Sequence, residues 1–309
     1  MTAIDARPVV ITGPTGWIGR AMLMRLAHAR GPGWGASVRL FGSRTSDLTA
    51  ADGSVLPVRP LETLTGADVE GAIVVHLAYL TKEKAELLGE RRFIDTNLGI
   101  DDRLLAALEE GAPHAVFVAS SGAAALAAQG RDRHPYGLAK LRQEDRLLAW
   151  GARTGVPVIA GRIWNIAGPF MNKAESYALG NMLTQARTTG TIRVAAAVPV
   201  FRSFLHVGDL CDLALSALSA GIGCAAPVDL CGAEALEMGD LAARVAALVG
   251  LGDAAITRPP IDWQRPSVYI GDFAATRTLA MRLGLPIAGF DQQLVDTDRW
   301  IFGNSEPDQ

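Results

Sequence analysis

The chain has 309 residues, of which 49% are hydrophobic, and a formal net charge of −3. This length is sufficient for one large hydrophobic core, or for a large domain with a smaller one attached. Because basic residues are not in excess, the composition excludes a protein that binds nucleic acid through a basic surface. The apolar runs are too short to span a bilayer, so we expect no membrane partner.

Three cysteines, Cys211, Cys224 and Cys231, form no C-x-x-C pair and have no histidine at zinc-finger spacing. Their low and odd number is typical of a reduced, cytoplasmic protein. The first residues include an acid and lack the apolar run of a signal peptide, which also favours the cytoplasm. No His, Cys and carboxylate residues cluster at metal-ligand spacing, so we expect no metal.

The first half of the chain alternates short apolar segments with longer helical ones. Strands are predicted at residues 8–12, 37–41, 72–77, 115–119 and 156–163, and helices at 17–29, 93–110 and 136–154. Apolar, β-branched runs that stop at a turn are typical of strands buried on both faces of a parallel sheet. The repeated alternation therefore predicts an α/β fold with a doubly wound parallel sheet of the Rossmann type.

Beyond Gly168 this rhythm weakens. The pattern predicts helices at residues 176–188, 210–220 and 240–249, a strand at 192–194 and a loop-rich tail. We expect a Rossmann domain of residues 1–168, to which 205–230 return. A smaller C-terminal lobe, made of residues 169–204 and 231–309, is expected to bind the substrate.

A glycine turn joins the first predicted strand to the first helix. Gly13, Gly16 and Gly19 have the spacing G-x-x-G-x-x-G. In such turns the first glycine permits a tight bend, the second lets the backbone approach a pyrophosphate, and the third allows close helix–strand packing. The helix N-terminus attracts the anion. We therefore predict that residues 13–19, including Thr15, Trp17 and Ile18, bind NAD or NADP.

The end of the second strand distinguishes the two cofactors. An acidic residue there binds the ribose 2′-hydroxyl of NAD, whereas an arginine accommodates the 2′-phosphate of NADP. This chain has Ser43 and Arg44 at that place, and its next acid is Asp47. Because Arg44 suits a phosphate and Ser43 can donate to one, NADP is favoured over NAD.

A Y-x-x-x-K motif, Tyr136 and Lys140, opens the helix that follows the predicted strand at residues 115–119. Residues at i and i+4 lie on one face of a helix, so the phenol and the ammonium can share a site. A nearby lysine favours the phenolate, which predicts a lowered tyrosine pKa and a role in acid–base chemistry. The ends of parallel strands are also where such sheets place their active sites.

Together these features resemble the extended short-chain dehydrogenase/reductases of the NAD-dependent epimerase/dehydratase type, many of which act on nucleotide sugars. The matching segments are residues 13–19; His76, Leu77 and Ala78, at a strand end that lies under the nicotinamide ribose in that family; Asn97 on the following helix; Ser120 and Ser121; residues 136–140; residues 162–169, similar to R-x-x-N-x-x-G-P; residues 202–209, similar to R-D-F-I-H-V-x-D; and Arg265-Pro266 with residues 283–286.

The resemblance implies that Tyr136 is the general acid/base and that Lys140 lowers its pKa and holds the nicotinamide ribose. It implies that Asn165 meets the substrate and that Arg202 and Arg265 bind a substrate diphosphate. The expected substrate is a small molecule, a nucleotide sugar. The resemblance also implies a homodimer formed through the helices that carry Asn97 and Tyr136.

The sequence departs from the family after the predicted strand at residues 115–119. Simple register places Gly122 where many relatives have a catalytic hydroxyl, so we favour Ser121 for that role, with Ser120 as a structural hydroxyl. The alternatives are that Ser120 is the catalytic hydroxyl, or that neither serine is. Alanines replace the acids of sugar dehydratases, so dehydration is not expected. We therefore predict a ketoreductase or an epimerase, with a non-catalytic NAD(P)-binding sensor or scaffold as the alternative.

Overall fold

The computed structural model describes residues 6–303. The part of the N-terminus that bears on the signal-peptide prediction lies largely outside these residues. The strands are β1 (Val9–Thr12), β2 (Val38–Gly42), β3 (Ser46–Thr49), β4 (Val55–Pro60), β5 (Ile73–His76), β6 (Ala115–Ser121), β7 (Val158–Ile163), β8 (Asn165–Ala167), β9 (Ile192–Arg193), β10 (Val200–His206), β11 (Val228–Leu230), β12 (Ala235–Glu237), β13 (Ile256–Thr257) and β14 (Ser267–Tyr269).

The helices alternate with these strands. They are α1 (Trp17–Arg30), α2 (Gly66–Val69), α3 (Lys82–Leu88), α4 (Glu90–Glu110), α5 (Gly122–Ala128), α6 (Pro135–Thr154), α7 (Ala178–Thr189), α8 (Val207–Ser219), α9 (Met238–Leu248), α10 (Phe273–Leu283) and α11 (Phe290–Phe302).

The large sheet has eight strands in the order β11-β7-β6-β5-β1-β2-β4-β3. Its pairs are parallel except for β3 with β4. Alternate residues of β1 serve different faces: Val9 and Ile11 pack with α1 and α8, while Val10 packs with α4 and α6. The doubly wound parallel sheet is thereby confirmed, because both faces are covered by helices.

A second layer of strands, separate from the large sheet, is formed by segments that follow β7 in the chain. Strand β10 pairs with β12 antiparallel and with β14 and β8 parallel, and β9 pairs with β13. Helices α7, α9 and α11 contribute to a separate core next to these strands. Strand β11, which lies in the segment 205–230 predicted to return to the Rossmann domain, joins the large sheet. Strand β8, which lies within residues 1–168, pairs with β10 instead. The boundary at residue 168 stays a prediction.

The expectation of a loop-rich tail is wrong for residues 273–303, most of which belong to α10 and α11. Polar residues on the buried face of α11 hide its helical pattern: Gln293 and Thr297 are almost fully buried. The Gln293 amide donates to the Phe204 carbonyl, and Thr297 accepts from the Gly168 N–H. The β3–β4 pair at the sheet edge was also not predicted. None of the described helices has the length and hydrophobicity needed to cross a membrane.

Candidate active site

The glycine turn forms an open cradle at the start of α1. Gly13 has a φ of +70°, and a Cβ there would lie 2.8 Å from the Ala78 nitrogen. A Cβ at Gly19 would lie 2.6 Å from the carbonyl oxygens of Gly13 and Pro14. At Gly16 the nearest atom would be 3.5 Å away, and no side chain caps the helix there. The cradle therefore fits a pyrophosphate approaching Gly16, while Gly19 packs on the turn itself, not on a strand.

The end of β1 is joined to the end of β5. The Thr12 hydroxyl accepts from the Leu77 and Ala78 N–H groups at 3.2 and 3.1 Å, which places this backbone beside Gly13. Trp17 is buried, and its indole donates to the Pro169 carbonyl at 2.6 Å. The Trp17 side chain thus ties α1 to the segment after β8, and only its backbone faces the cradle.

The remaining predicted cofactor residues lie at the rim of the cradle. Thr15, Ser43 and Arg44 are exposed, whereas Ile18 is half-buried. Arg44 has no ion-pair partner within residues 6–303. Behind it, the Arg59 guanidinium lies 4.8 Å from the ring centre of buried Phe41. The end of β2 therefore leaves Arg44 available to a ligand.

Ser121 and Tyr136 are brought together by the starts of two consecutive helices. Ser121 ends β6 and caps α5 by accepting from the Ala123 N–H at 3.2 Å. Tyr136 follows Pro135 in the first turn of α6, where its N–H donates to His134 Nδ1 at 3.1 Å. Burial raises the pKa of Tyr136, and the neighbouring Ser121 hydroxyl opposes this rise.

The Lys140 ammonium is held by buried groups of the protein. Its Nζ donates to the Ala119 carbonyl at 2.6 Å and to Gln143 Oε1 at 3.0 Å, and it lies 3.5 Å from the ring centre of Tyr79. Burial lowers the pKa of Lys140 to about 7, although Asp101 and Glu144 oppose the change. The expected lowering of the Tyr136 pKa is therefore not seen, because these partners hold the ammonium.

A buried chain of polar groups continues from Lys140. Gln143 Nε2 donates to Asp101 Oδ1 at 2.5 Å, His76 Nε2 lies 3.6 Å from that oxygen, and His76 Nδ1 lies 2.9 Å from Thr12 Oγ1. Because the Thr12 oxygen already accepts two N–H bonds, its single proton must go to Nδ1. The other ring nitrogen of His76, Nε2, faces Asp101.

The sequence interpretation missed Asp101 and Gln143. Both are fully buried, and a signal for Asp101 existed in the chain. Asp101 follows Asn97 by four residues and precedes Leu104 by three, so it lies on the buried face of α4. A charged residue on such a face requires a partner, and that requirement could have indicated the network.

The two serines at the end of β6 have different partners. Ser120 donates to Glu144 at 2.5 Å, and Glu144 pairs with Arg162 at 2.7 Å. A Cβ at Gly122 would lie 2.5 Å from the Trp164 ring, so that ring occupies the space of any larger side chain. Ser121 is therefore the hydroxyl of this segment that lies beside Tyr136.

The predicted substrate residues lie on the side of the second layer of strands. Asn165 donates to the Ser203 carbonyl at 3.0 Å, which places it beside the strand that carries Arg202. Arg202 is half-buried, donates to the Phe201 carbonyl at 2.8 Å and has no carboxylate partner within residues 6–303. Arg265 is exposed in the turn before β14, and no described contact joins it to the other site residues.

Tyr269 also belongs to this site and was not predicted. Its hydroxyl lies 3.1 Å from Ser121 Oγ, its ring centre lies 4.7 Å from that of Trp164, and the Arg202 guanidinium lies 5.7 Å from the same ring. No local sequence pattern indicates it. Across residues 6–303 there is no group of three or more His, Cys, Asp or Glu residues that could hold a metal.

The parallel sheet, the glycine cradle and the serine, tyrosine and lysine at the strand ends define a dinucleotide-binding fold of the short-chain dehydrogenase/reductase type. The model of the NAD dependent epimerase/dehydratase family matches residues 9–223, well over half of the chain. The chain belongs to this family, as its motifs predicted.

Solved structures with the same fold cover nearly the whole chain. A dTDP-glucose 4,6-dehydratase from Streptomyces venezuelae, solved as a double mutant with NAD, is 18% identical over 96% of this chain and 97% of its own, with a TM-score of 0.74. MoeE5, solved with UDP-glucose and NAD, is 22% identical over 95% and 98%, with a TM-score of 0.71. No curated sequence matches the chain.

A UDP-N-acetylglucosamine 4-epimerase from Bacillus cereus is 16% identical over 98% of this chain and 99% of its own, with a TM-score of 0.73. Epimerases and dehydratases are thus both among the proteins of similar fold. The comparisons give no support to the prediction against dehydration, which depends on the residues after Ser121 alone.

Proposed function

We propose that the protein is a ketoreductase that uses NADPH to reduce a nucleotide-activated sugar. The observation that carries the proposal is the Ser121–Tyr136 pair beside the glycine cradle, at the carboxyl ends of β1 and β6, where open α/β sheets bind their ligands. In support, similar folds were solved with NAD and with UDP-glucose.

The residues of this chain have distinct roles in the proposed reaction. Bound reduced nicotinamide supplies the hydride that the substrate carbonyl carbon accepts. The Tyr136 phenol, whose pKa is raised by burial, is protonated at neutral pH and gives its proton to the carbonyl oxygen. Ser121 donates a hydrogen bond to the same oxygen. Lys140 holds the nicotinamide ribose, for which its bonds to Ala119 and Gln143 must rearrange.

NADPH is proposed over NADH because of the end of β2. Arg44 is exposed and free of carboxylates there, and Ser43 precedes it. A guanidinium beside a hydroxyl suits the three acceptor oxygens of a 2′-phosphate. The backbone of Leu77 and Ala78, next to Gly13, is proposed to lie under the nicotinamide ribose.

The substrate is proposed to bind between the sheet domain and the C-terminal lobe, which residues 169–204 and 231–309 form. Arg202 has no acidic partner within residues 6–303, and a diphosphate would supply the negative charge. Arg265 lies two residues before Ser267, whose carbonyl is 3.4 Å from the Arg202 guanidinium, so it can reach the same anion. Asn165 borders this cleft.

Two features favour reduction over the other reactions of the family. Residues 123–125 are alanines, so no carboxylate directly follows Gly122 to remove a second proton. An exposed 2′-phosphate site also suits a cofactor that exchanges after each turnover. An epimerase would convert substrate without net consumption of NADPH, and a dehydratase would release water.

We also propose a homodimer formed through α4 and α6. Their neighbouring outer surfaces carry two ion pairs between the helices, Asp102 with Arg146 and Glu109 with Arg153. Light scattering after gel filtration tests this state: twice the chain mass is expected, and a monomer at micromolar concentration would contradict it.

The experiment mixes purified protein and NADPH with UDP- and dTDP-linked keto sugars, and follows the absorbance of the reduced nicotinamide together with the product mass. Stoichiometric oxidation of NADPH is expected, with a product that is heavier than the substrate by two hydrogen atoms. Isomerisation without oxidation would identify an epimerase, and loss of water a dehydratase. NADPH binding without any turnover would identify a sensor.

A further inference from the structure

Tyr269 brings a hydroxyl from the second layer of strands to the end of β6. Its oxygen lies 3.1 Å from Ser121 Oγ although the two residues are 148 positions apart in the chain. The Tyr269 ring packs against the Trp164 ring, with the ring centres 4.7 Å apart. Gly122 and Gly271 both lie against Trp164, since a Cβ at either would collide with it. The tyrosine is therefore held in place by a closely packed aromatic neighbour.

The hydrogen-bond capacity of Ser121 gives this contact a direction. A serine hydroxyl has one proton to donate and two lone pairs that accept. The Ala123 N–H occupies one lone pair, at 3.2 Å. The Tyr136 phenol also lies within reach of the Ser121 hydroxyl. In a reduction both hydroxyls donate to the reacting carbonyl oxygen, so the single Ser121 proton has to point toward that oxygen. The phenol of Tyr269 must then be the donor in its bond with Ser121.

We propose that Tyr269 is a positioning residue of the reacting centre: its phenol donates to the second lone pair of Ser121 and so directs the Ser121 proton toward the reacting oxygen of the substrate. The inference rests on the proposed function, because it requires Ser121 to bind that oxygen. It makes the C-terminal lobe part of the catalytic arrangement as well as of substrate binding.

The test begins with Tyr269→Phe, which keeps the ring on Trp164 and removes the donor. With NADPH and the keto sugar that the wild type reduces, we expect kcat to fall about tenfold, the equivalent of one neutral hydrogen bond, and both KM values to stay unchanged. Thr63→Val is the matched control, because it also removes one hydroxyl hydrogen bond, to the Pro60 carbonyl, at an exposed position outside the proposed site. Its kcat is expected to equal that of the wild type.

A double variant separates positioning from direct contact. If Tyr269 acts only through Ser121, then Tyr269→Phe has no further effect on kcat in a Ser121→Ala background. A full tenfold loss in that background would overturn the inference, since Tyr269 would then contact the substrate itself. A rise in KM with unchanged kcat would overturn it as well.

Denaturant unfolding of the wild type, Tyr269→Phe, Ser121→Ala and the double variant reports the hydrogen bond without any substrate. We expect the midpoint shifts of the two single variants to be non-additive in the double variant. Additive shifts would overturn the inference whatever the turnover. Non-additive shifts with no turnover by the wild type would instead refute the proposed function and the catalytic role with it, while the bond itself would stand.

Discussion

The two sides of the proposed reacting centre are built differently. On the cofactor side, buried side chains of the sheet domain contact one another from Thr12 through His76, Asp101 and Gln143 to Lys140. On the substrate side, Arg202 has no acidic partner within residues 6–303. The first side is held by contacts within the protein, whereas Arg202 on the second side is proposed to keep its positive charge for a ligand. The predictions below test this difference.

The largest effect is expected where the two sides meet. Tyr136→Phe removes the proton donor and should lower kcat by about 100- to 10,000-fold. NADPH affinity should not change, because the cradle is formed by other residues. Single-turnover kinetics and NADPH fluorescence titration measure the two quantities. Wild-type turnover by this variant would show that the proton comes from elsewhere.

The buried cofactor side should make stability depend on pH. The pKa of Lys140 is about 7 in the folded protein and near its ordinary, higher value in the unfolded chain. The unfolded chain therefore binds more protons between these values, and the free energy of unfolding should rise with pH from about 7 to about 10. Lys140→Met should remove on the order of 2–4 kcal/mol of this rise.

Denaturant unfolding of the cofactor-free protein at pH about 6 and about 10 measures the difference. The matched control is Lys173→Met on the protein surface, which should keep the rise. If the free energy of unfolding of the wild type fell over this window relative to that of Lys140→Met, the surroundings of Lys140 would stabilise its ammonium instead of destabilising it.

Two glycines of the cradle should affect different quantities, Gly19 the stability of the fold and Gly16 the affinity for NADPH. Gly19→Ala would place a Cβ 2.6 Å from two backbone carbonyl oxygens and should cost about 1–3 kcal/mol of unfolding free energy. Gly16→Ala has ordinary contacts in the free protein, so its stability should be unchanged while NADPH affinity falls. Denaturant unfolding and NADPH titration of both variants test this. Equal loss of stability in the two variants would contradict the open cradle.

The substrate side should respond in binding. Arg202→Gln should raise the KM for the nucleotide sugar about tenfold, because the substrate diphosphate loses its charged partner, the half-buried Arg202 guanidinium. Arg265→Gln should have a smaller effect, since Arg265 is exposed and such pairs are weak. Steady-state kinetics of the two variants compare them. A larger effect at Arg265 would place the diphosphate at the outer turn.

The smallest effect is expected at the cofactor rim. Arg44→Gln should raise the KM for NADPH about two- to fivefold, in the range of an exposed ion pair. The KM for NADH should stay unchanged, because NADH lacks the 2′-phosphate. An equal change for both cofactors would remove the basis for proposing NADPH.

The elements of the cofactor side were largely predictable because each depends on neighbouring residues. The strand before Gly13, the helix after Gly16 and the helix opened by Tyr136 follow from apolar runs, glycine spacing and helical periodicity. The family prediction, which was confirmed, also rests on motifs whose residues are close together in the chain. The spacing indicates that Lys140 shares a face of α6 with Tyr136. It does not indicate that Ala119 and Gln143 accept the hydrogen bonds of the Lys140 ammonium.

The rest depends on contacts between distant segments. Tyr269 meets Ser121 only because β14 joins β10, and no spacing in the chain records that pairing. The buried face of α11 carries Gln293 and Thr297, which bond to backbone groups of other elements, so its apolar stripe is incomplete. Where polar side chains are paired across the fold, periodicity alone does not find the helix.

Transfer of deuterium from NADPH labelled at its hydride-donating carbon tests the central claim most directly. Incubated with the protein and a keto nucleotide sugar, the labelled cofactor should yield a hydroxyl sugar heavier by one mass unit than the product from unlabelled NADPH, and Tyr136→Phe should yield almost none. A product formed without deuterium, at the same rate in both proteins, would contradict hydride transfer with Tyr136 as the proton donor.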